Sequence, residues 1–146
     1  MKSLVIGGLV ASLLTATPAH GNTRCDADDP DGSKVAAARA TADQQCTDQG
    51  AGCANAQNHG AYVACVSHVA NALTKSVPPS LPRSCKRAVK VCAARSSCGK
   101  PEFVACSYTD EKGMTRCSVK PALACTDRPG RTACADTGSC CDPCTP

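Results

Sequence analysis

The sequence predicts a small, disulfide-rich α+β domain: three helices, followed by a β-hairpin and an irregular cysteine-rich tail. Three observations lead to this fold class. The chain of 146 residues has 14 cysteines but only two Tyr, one Phe and no Trp. Apolar residues recur at helical spacing before Lys100. After Lys100, short runs of β-favouring residues flank a turn.

The first 21 residues have the order of a secretory signal peptide. Lys2 precedes an uncharged apolar run at 4–14, and small residues follow up to Gly21. This run is well short of the ~20 residues that a membrane-spanning helix needs, and no later segment is apolar enough to cross a bilayer. We expect cleavage after Ala19 or Gly21, a mature chain of 22–146 without a transmembrane segment, and a secreted or periplasmic location.

Export determines how the cysteines are interpreted. They form about 11% of the mature chain, a density typical of disulfide scaffolds, and disulfides persist outside the cytoplasm. Large apolar side chains are few, so burial alone gives only a thin core. Because a native disulfide typically contributes about 2–4 kcal/mol, we expect disulfides to supply a major share of the stability.

Two helices are predicted in the first half of the mature chain. Residues 34–47 are rich in alanine, follow a capping Ser33 and end before Gly50. Their thin apolar stripe consists of Val35, Ala38, Ala42 and Cys46. Residues 58–75 show a clearer amphipathic pattern. Its apolar side consists of Tyr62, Val66, Val69 and Leu73.

A third helix is predicted at 81–98, with Ser80 as its N-cap and Gly99 as its C-cap. Its cysteines share one side, and the other side carries what we call the basic helix face: Arg83, Lys86, Arg87 and Lys90. Such a stripe can bind anionic polymers or a cell surface. No aromatic residues interleave with it, so specific nucleic-acid recognition is not predicted. A plain solvated helix face is the alternative.

A β-hairpin is predicted from the runs 103–109 and 114–119. A four-residue loop pairs Thr109 with Met114, places Cys106 opposite Cys117 and predicts a disulfide between these two cysteines. A three-residue loop with Gly113 in a bulge shifts the register by one residue, and this alternative stays open. Residues 120–146 carry five cysteines and several prolines, and we expect little regular structure there.

The number of cysteines limits how the chain can be divided. Seven cysteines lie on each side of Lys100, and an odd number cannot pair completely within either part. Either a disulfide joins the helical part, 22–99, to the hairpin and tail, 100–146, or each part keeps an unpaired cysteine. We expect the first, which makes 22–146 a single disulfide-stapled domain. The remaining connectivity cannot be deduced from spacing.

No catalytic constellation is found. The chain lacks G-x-S-x-G, H-E-x-x-H and P-loop patterns, so neither an enzyme activity nor a cofactor is predicted. The motif from Cys141 to Cys144 has the spacing of a thioredoxin-like redox site, but too few residues follow it to form the helix that such a site needs. The helix-borne and terminal cysteines leave one alternative function, a cysteine-based copper or zinc protein, without assigned metal ligands.

Two segments carry a resemblance to known proteins. The runs 58–66 (NHGAYVACV) and 93–100 (AARSSCGK) resemble segments of uncharacterised secreted cysteine-rich bacterial proteins, a group with no known activity. The resemblance implies a bacterial periplasmic or secreted origin and no chemistry. The leading hypothesis is therefore an exported, non-enzymatic protein with a structural or binding role, directed to anionic surface polymers through the basic helix face. The sequence does not predict an oligomeric state.

Overall fold

In the computed structural model, which describes Cys25 and residues 31–144, three α-helices precede a three-stranded antiparallel sheet. The helices are α1 (Gly32–Asp48), α2 (His59–Leu73) and α3 (Lys86–Ala94). The strands are β1 (Phe103–Asp110), β2 (Thr115–Pro121) and β3 (Arg131–Asp136). The predicted α+β class is confirmed. The predicted signal peptide, 1–21, lies outside the described residues. No helix in the described ranges is long and apolar enough to span a membrane.

The core of the helical part is built from small side chains. The predicted stripes of α1 and α2 are buried, apart from Leu73, which is half-buried. They meet Leu81 and Val89, which are both fully buried. Tyr62 is the one aromatic residue in this cluster, and most other members are Ala, Val or Cys. Three disulfides reinforce it: Cys25–Cys85, Cys46–Cys65 and Cys53–Cys98.

Helix α3 is shorter than the predicted 81–98. A 3₁₀ turn at Arg83–Cys85 precedes it, and it ends at Ala94. Ser96 forms an antiparallel bridge with Ser139 in the tail, so pairing with a distant segment replaces the last helical turn. The predicted C-cap, Gly99, instead has φ +65°, and a Cβ there would lie 2.5 Å from the backbone of Asn58. This glycine allows close approach of the chain to the start of α2.

The hairpin forms, but its register is shifted by one residue. Thr109 pairs with Thr115, so Cys106 lies opposite Ser118, and the three-residue loop is the one adopted. Gly113 takes φ +77° in this loop. The Asp110 carboxylate accepts hydrogen bonds from the backbone N–H groups of Lys112 and Met114, at 3.0 and 2.9 Å. These bonds stabilise the tighter loop.

The predicted disulfide between Cys106 and Cys117 is therefore wrong. Because successive side chains alternate between the faces of a sheet, the shift puts these cysteines on opposite faces. Cys106 pairs instead with Cys125, and Cys117 pairs with Cys140.

The tail contains the strand β3, which the sequence did not predict. The strand order is β2-β1-β3, so the connection from β2 to β3 passes over one face of β1. Tyr108 donates its hydroxyl hydrogen to the carbonyl of Ala124 at 3.1 Å, and Cys106–Cys125 fixes the same connection to β1. The pairing of β3 thus depends on contacts that are distant in sequence.

One disulfide joins the two parts of the chain. Three bonds lie before Lys100 and three lie after it, while Cys92–Cys141 crosses. The expectation of a crossing bond is confirmed. Backbone contacts accompany it: the Cys140 N–H donates to the carbonyl of Arg95 at 3.1 Å, and the Ser97 N–H donates to that of Gly138 at 3.2 Å.

Candidate functional site

The basic helix face is displayed on the outer side of α3 and of the turn that precedes it. Arg83 and Arg87 are exposed, whereas Lys86 and Lys90 are half-buried along the flank. The buried side of the helix carries Val89, Cys92 and Ala93. The structure thus brings together the four cations that the spacing predicted.

These cations have no carboxylate partner in the part of the chain that the structure describes. The ion pairs found there are Lys34–Asp31 and Arg39–Asp142, and α3 itself contains no acidic residue. Lys86 and Arg87 lie in the first turn of α3, where the helix dipole favours anions and disfavours cations. A bound anion would relieve that repulsion and would also interact favourably with the helix end.

The basic helix face is rigidly mounted. Cys85, directly before α3, is bonded to Cys25, and Cys92 in its last turn is bonded to Cys141. Between these anchors, Val89 is fully buried in the core. Cations on a helix held at both ends lose little conformational freedom of the backbone when they bind a partner.

Two further cations form a feature that sequence reasoning missed. The Lys120 ammonium lies 4.4 Å from the centre of the Tyr108 ring, and the Arg128 guanidinium lies 5.1 Å from it. Tyr108 is only 8% exposed, so the ring is covered by its two cations. The three residues belong to different strands and loops, and no local pattern joins them. Since these cations contact the ring, we regard them as structural.

A cavity of about 320 Å³, which we call the α1–α3 cavity, lies between α1, α3 and the tail. Its wall on α1 includes Ala36 and Ala40, whose small side chains leave space between the helices. Arg39 of α1 pairs with Asp142 of the tail at its edge, with Nη1 2.9 Å from Oδ1. This ion pair joins residues 103 positions apart, a separation at which no sequence pattern could have revealed it.

Ionisation at the α1–α3 cavity follows from these contacts. The hydrogen bond between Arg39 and Asp142 raises the pKa of the guanidinium and lowers the pKa of the carboxyl group. Burial raises the pKa of Tyr62 far above its ordinary value, and the hydrogen bond from its hydroxyl to Asp43 Oδ1, 2.9 Å long, acts in the same direction. At neutral pH the cavity therefore has a charged ion pair and a neutral phenol donor.

The cysteines are occupied by covalent pairing. All 14 lie in disulfides, and Cys141 and Cys144 are bonded to Cys92 and Cys134, not to each other. The two cysteines of the motif that has the spacing of a redox site thus belong to two different structural disulfides. Cysteine-based metal binding would need thiolates that the oxidised protein does not offer. Within Cys25 and residues 31–144, no group of three or more His, Cys, Asp or Glu could hold a metal ion.

The histidines are apart from one another. His59 opens α2, and its Nδ1 and Nε2 lie 2.9 Å from the carbonyl oxygen of Cys98 and 3.2 Å from that of Ala94. His68 is exposed. His59 thus links α2 to the end of α3 and has a structural part.

Comparisons with protein families, with curated protein sequences and with solved structures give no match to this chain.

Proposed function

We propose that this is an exported, non-enzymatic protein that binds an anionic surface polymer through the basic helix face. The observation that supports this most is the combination of four cations without a carboxylate partner in the described residues and a helix fixed by a disulfide at each end. The disulfide bonding of all 14 cysteines supports the exported location, because such bonds form and persist outside the cytoplasm.

A cell-surface polysaccharide is the partner class that fits best. Repeated sulfate or carboxylate groups match a row of point charges and need no aromatic platform. Nucleic-acid bases would need stacking partners, and neither α3 nor the 3₁₀ turn before it contains an aromatic residue.

A matched pair of variants tests the proposal. The first, R83Q/K86Q/R87Q/K90Q, removes the basic helix face, and the second, K75Q/K100Q/K112Q/R116Q, removes the same charge elsewhere. On heparin at low salt, the first variant should elute at markedly lower salt than wild type, and the second should elute close to wild type. Heparin should also raise the melting temperature of wild type, because it binds only the folded display of charges.

Two outcomes would contradict the proposal. Equal loss of heparin binding in both variants would show that net charge, not this face, governs binding. Absence of wild-type binding to heparin, duplex DNA and anionic vesicles at low salt would remove the anionic partner altogether. The export part is tested separately, by N-terminal sequencing of protein recovered outside the cytoplasm, which should begin at His20 or Asn22.

A further inference from the structure

We infer that the α1–α3 cavity binds a small organic cation, of the class of compact aliphatic or aromatic amines. This site lies on the other side of the helical part from the basic helix face and does not depend on the proposed function. Four properties of the cavity support the inference: its size, its apolar interior, its available hydrogen-bond acceptors and its net charge.

Size and interior favour a small ligand with an apolar body. A volume of about 320 Å³ lies at the lower end of natural ligand pockets, and a dry cavity of about 150 Å³ already holds benzene. The interior includes Val66, Val89 and Ala93, each at most 4% exposed, and the ring of Tyr62. Such a surface would exclude water from an apolar group and would place an aromatic ring within reach of a cation.

Two oxygen atoms of residues that line the cavity are available as hydrogen-bond acceptors, one of Ser96 and one of Asp43. The hydroxyl hydrogens of Ser96 and Ser139 are donated to the carbonyls of Ala93 and Cys92, at 2.7 and 2.9 Å. The Ser139 oxygen already accepts from the Cys141 N–H at 3.2 Å, whereas the Ser96 oxygen accepts from no donor among the described residues. Asp43 accepts from Tyr62 through Oδ1, and its second oxygen has no hydrogen-bond partner among the described residues. A ligand that bonds to the Ser96 and Asp43 oxygens has to bring hydrogen-bond donors, which an ammonium group supplies.

The charge of the cavity selects a cation. Arg39 is bonded to Asp142 and also interacts electrostatically with Asp43, so one positive charge faces two negative charges and the cavity is net negative. The last turn of α3 also contributes the negative end of a helix dipole through residues such as Cys92 and Ala93. A carboxylate or phosphate ligand would add to this net negative charge, so an anion is disfavoured.

Ligand titrations followed by NMR can test the inference on the whole oxidised protein. The probes are benzylammonium, neutral benzyl alcohol and anionic benzoate, which share one ring and differ in charge. We expect benzylammonium to bind at least tenfold more tightly than benzyl alcohol, with shifts in amides of α1, α3 and residues 138–142, and benzoate to bind more weakly than either. Asp43→Asn keeps an oxygen acceptor for Tyr62, and it should lower benzylammonium affinity to the level of benzyl alcohol.

Two substitutions test the location. Ala40→Leu and Ala36→Leu each place a larger side chain in the cavity and should abolish binding of both benzylammonium and benzyl alcohol. Ala37→Leu, on the same helix but outside the cavity lining, should leave binding unchanged and serves as the control. Heparin should not compete, since the basic helix face is elsewhere. The inference is overturned if benzyl alcohol or benzoate binds as tightly as benzylammonium, if both filled variants bind normally, or if the shifts map outside the cavity.

Discussion

Removing the crossing disulfide should uncouple the two parts of the protein. In the variant C92A/C141A, the helices and the sheet keep their own disulfides but lose the one covalent bond between Cys92 and Cys141. The contacts that remain between the parts include backbone hydrogen bonds, such as Cys140 N–H to Arg95 O, and the exposed Arg39–Asp142 pair. The hydroxyl groups of Ser97 and Ser139 also donate to carbonyls across the boundary. A typical hydrogen bond contributes about 0.5–1.5 kcal/mol and an exposed ion pair less than about 1 kcal/mol, so each of these contacts is weaker than the crosslink.

The size of the effect follows from the loop that the bond closes. The two cysteines of Cys92–Cys141 are 49 positions apart in sequence. The covalent path between them is shorter, because it runs along the backbone from 92 to 117, crosses the disulfide Cys117–Cys140, and continues from 140 to 141. A closed loop of about 27 residues corresponds to about 3.5 kcal/mol of chain entropy, against about 4 kcal/mol for the full separation. For a domain of this length, such a loss lowers the melting temperature by about 10–20 °C.

The two tyrosines serve as separate probes, because Tyr62 lies in the helical part and Tyr108 lies in the sheet. In wild type, the NMR signals of both rings should disappear at one denaturant midpoint. In C92A/C141A the two midpoints should separate and both should fall. The control C46A/C65A removes a bond of separation 19 within the helical part, and should lose about 3 kcal/mol while both rings still melt together. The reasoning would be refuted if the two ring midpoints of C92A/C141A coincide and its free energy of unfolding is less than about 1 kcal/mol below that of wild type.

Three further predictions concern single side chains. Ser107 Oγ is fully buried and has no hydrogen-bond partner among the described residues, so Ser107→Ala should be neutral or should stabilise the protein by up to about 1 kcal/mol. Ser97→Ala removes a 2.8 Å hydrogen bond to the Thr137 carbonyl and should cost about 1–2 kcal/mol. Urea unfolding measures both variants, and the reverse order of stability would contradict the account. Because the pKa of Tyr62 is raised in the folded state, the neutral phenol contributes to stability fully below about pH 10, and this contribution is lost at higher pH. Tyr62→Phe should remove the phenol that ionises last from an ultraviolet titration. Because Arg39 lowers the pKa of Asp142, the contribution of the ionised carboxylate to stability is present above about pH 4 and is lost on acidification. Asp142→Asn should therefore be less stable than wild type at pH 7 but not at pH 2, as measured by urea unfolding.

Helices α1 and α2 could be predicted because their apolar residues recur at the spacing of one helix side. The apolar stripe from Val35 to Cys46 and the stripe that begins at Tyr62 are buried at the spacing of one helix side. The outward position of the basic helix face follows from the same spacing. These features depend only on neighbours within two turns, so sequence alone is sufficient for them.

The features that could not be predicted depend on partners far along the chain. The register of the hairpin depended on one loop residue, since the three-residue loop was as compatible with the pattern as the four-residue loop. Strand β3 has no alternating pattern strong enough to identify it, and it forms because β1 offers a second edge. The α1–α3 cavity arises where Ala36 and Ala40 of α1 lie opposite the tail. Arg39 and Asp142, which pair there, are 103 positions apart in sequence.

The stability of this fold rests, in our account, on seven specific disulfides around a core of small side chains. Peptide mapping of exported protein, with free thiols blocked and without reduction, tests this most directly. We predict no blocked thiol and an intact mass about 14 Da below that of the reduced protein. Because trypsin does not cleave before Pro121 or Pro129, we also predict a tryptic species in which 117–131 and 91–95 are both linked to 132–146, with 117–131 linked to 96–112 as well through Cys106–Cys125. Extensive blocking of thiols, or fragment ions that place Cys117 on Cys106 and not on Cys140, would contradict the account.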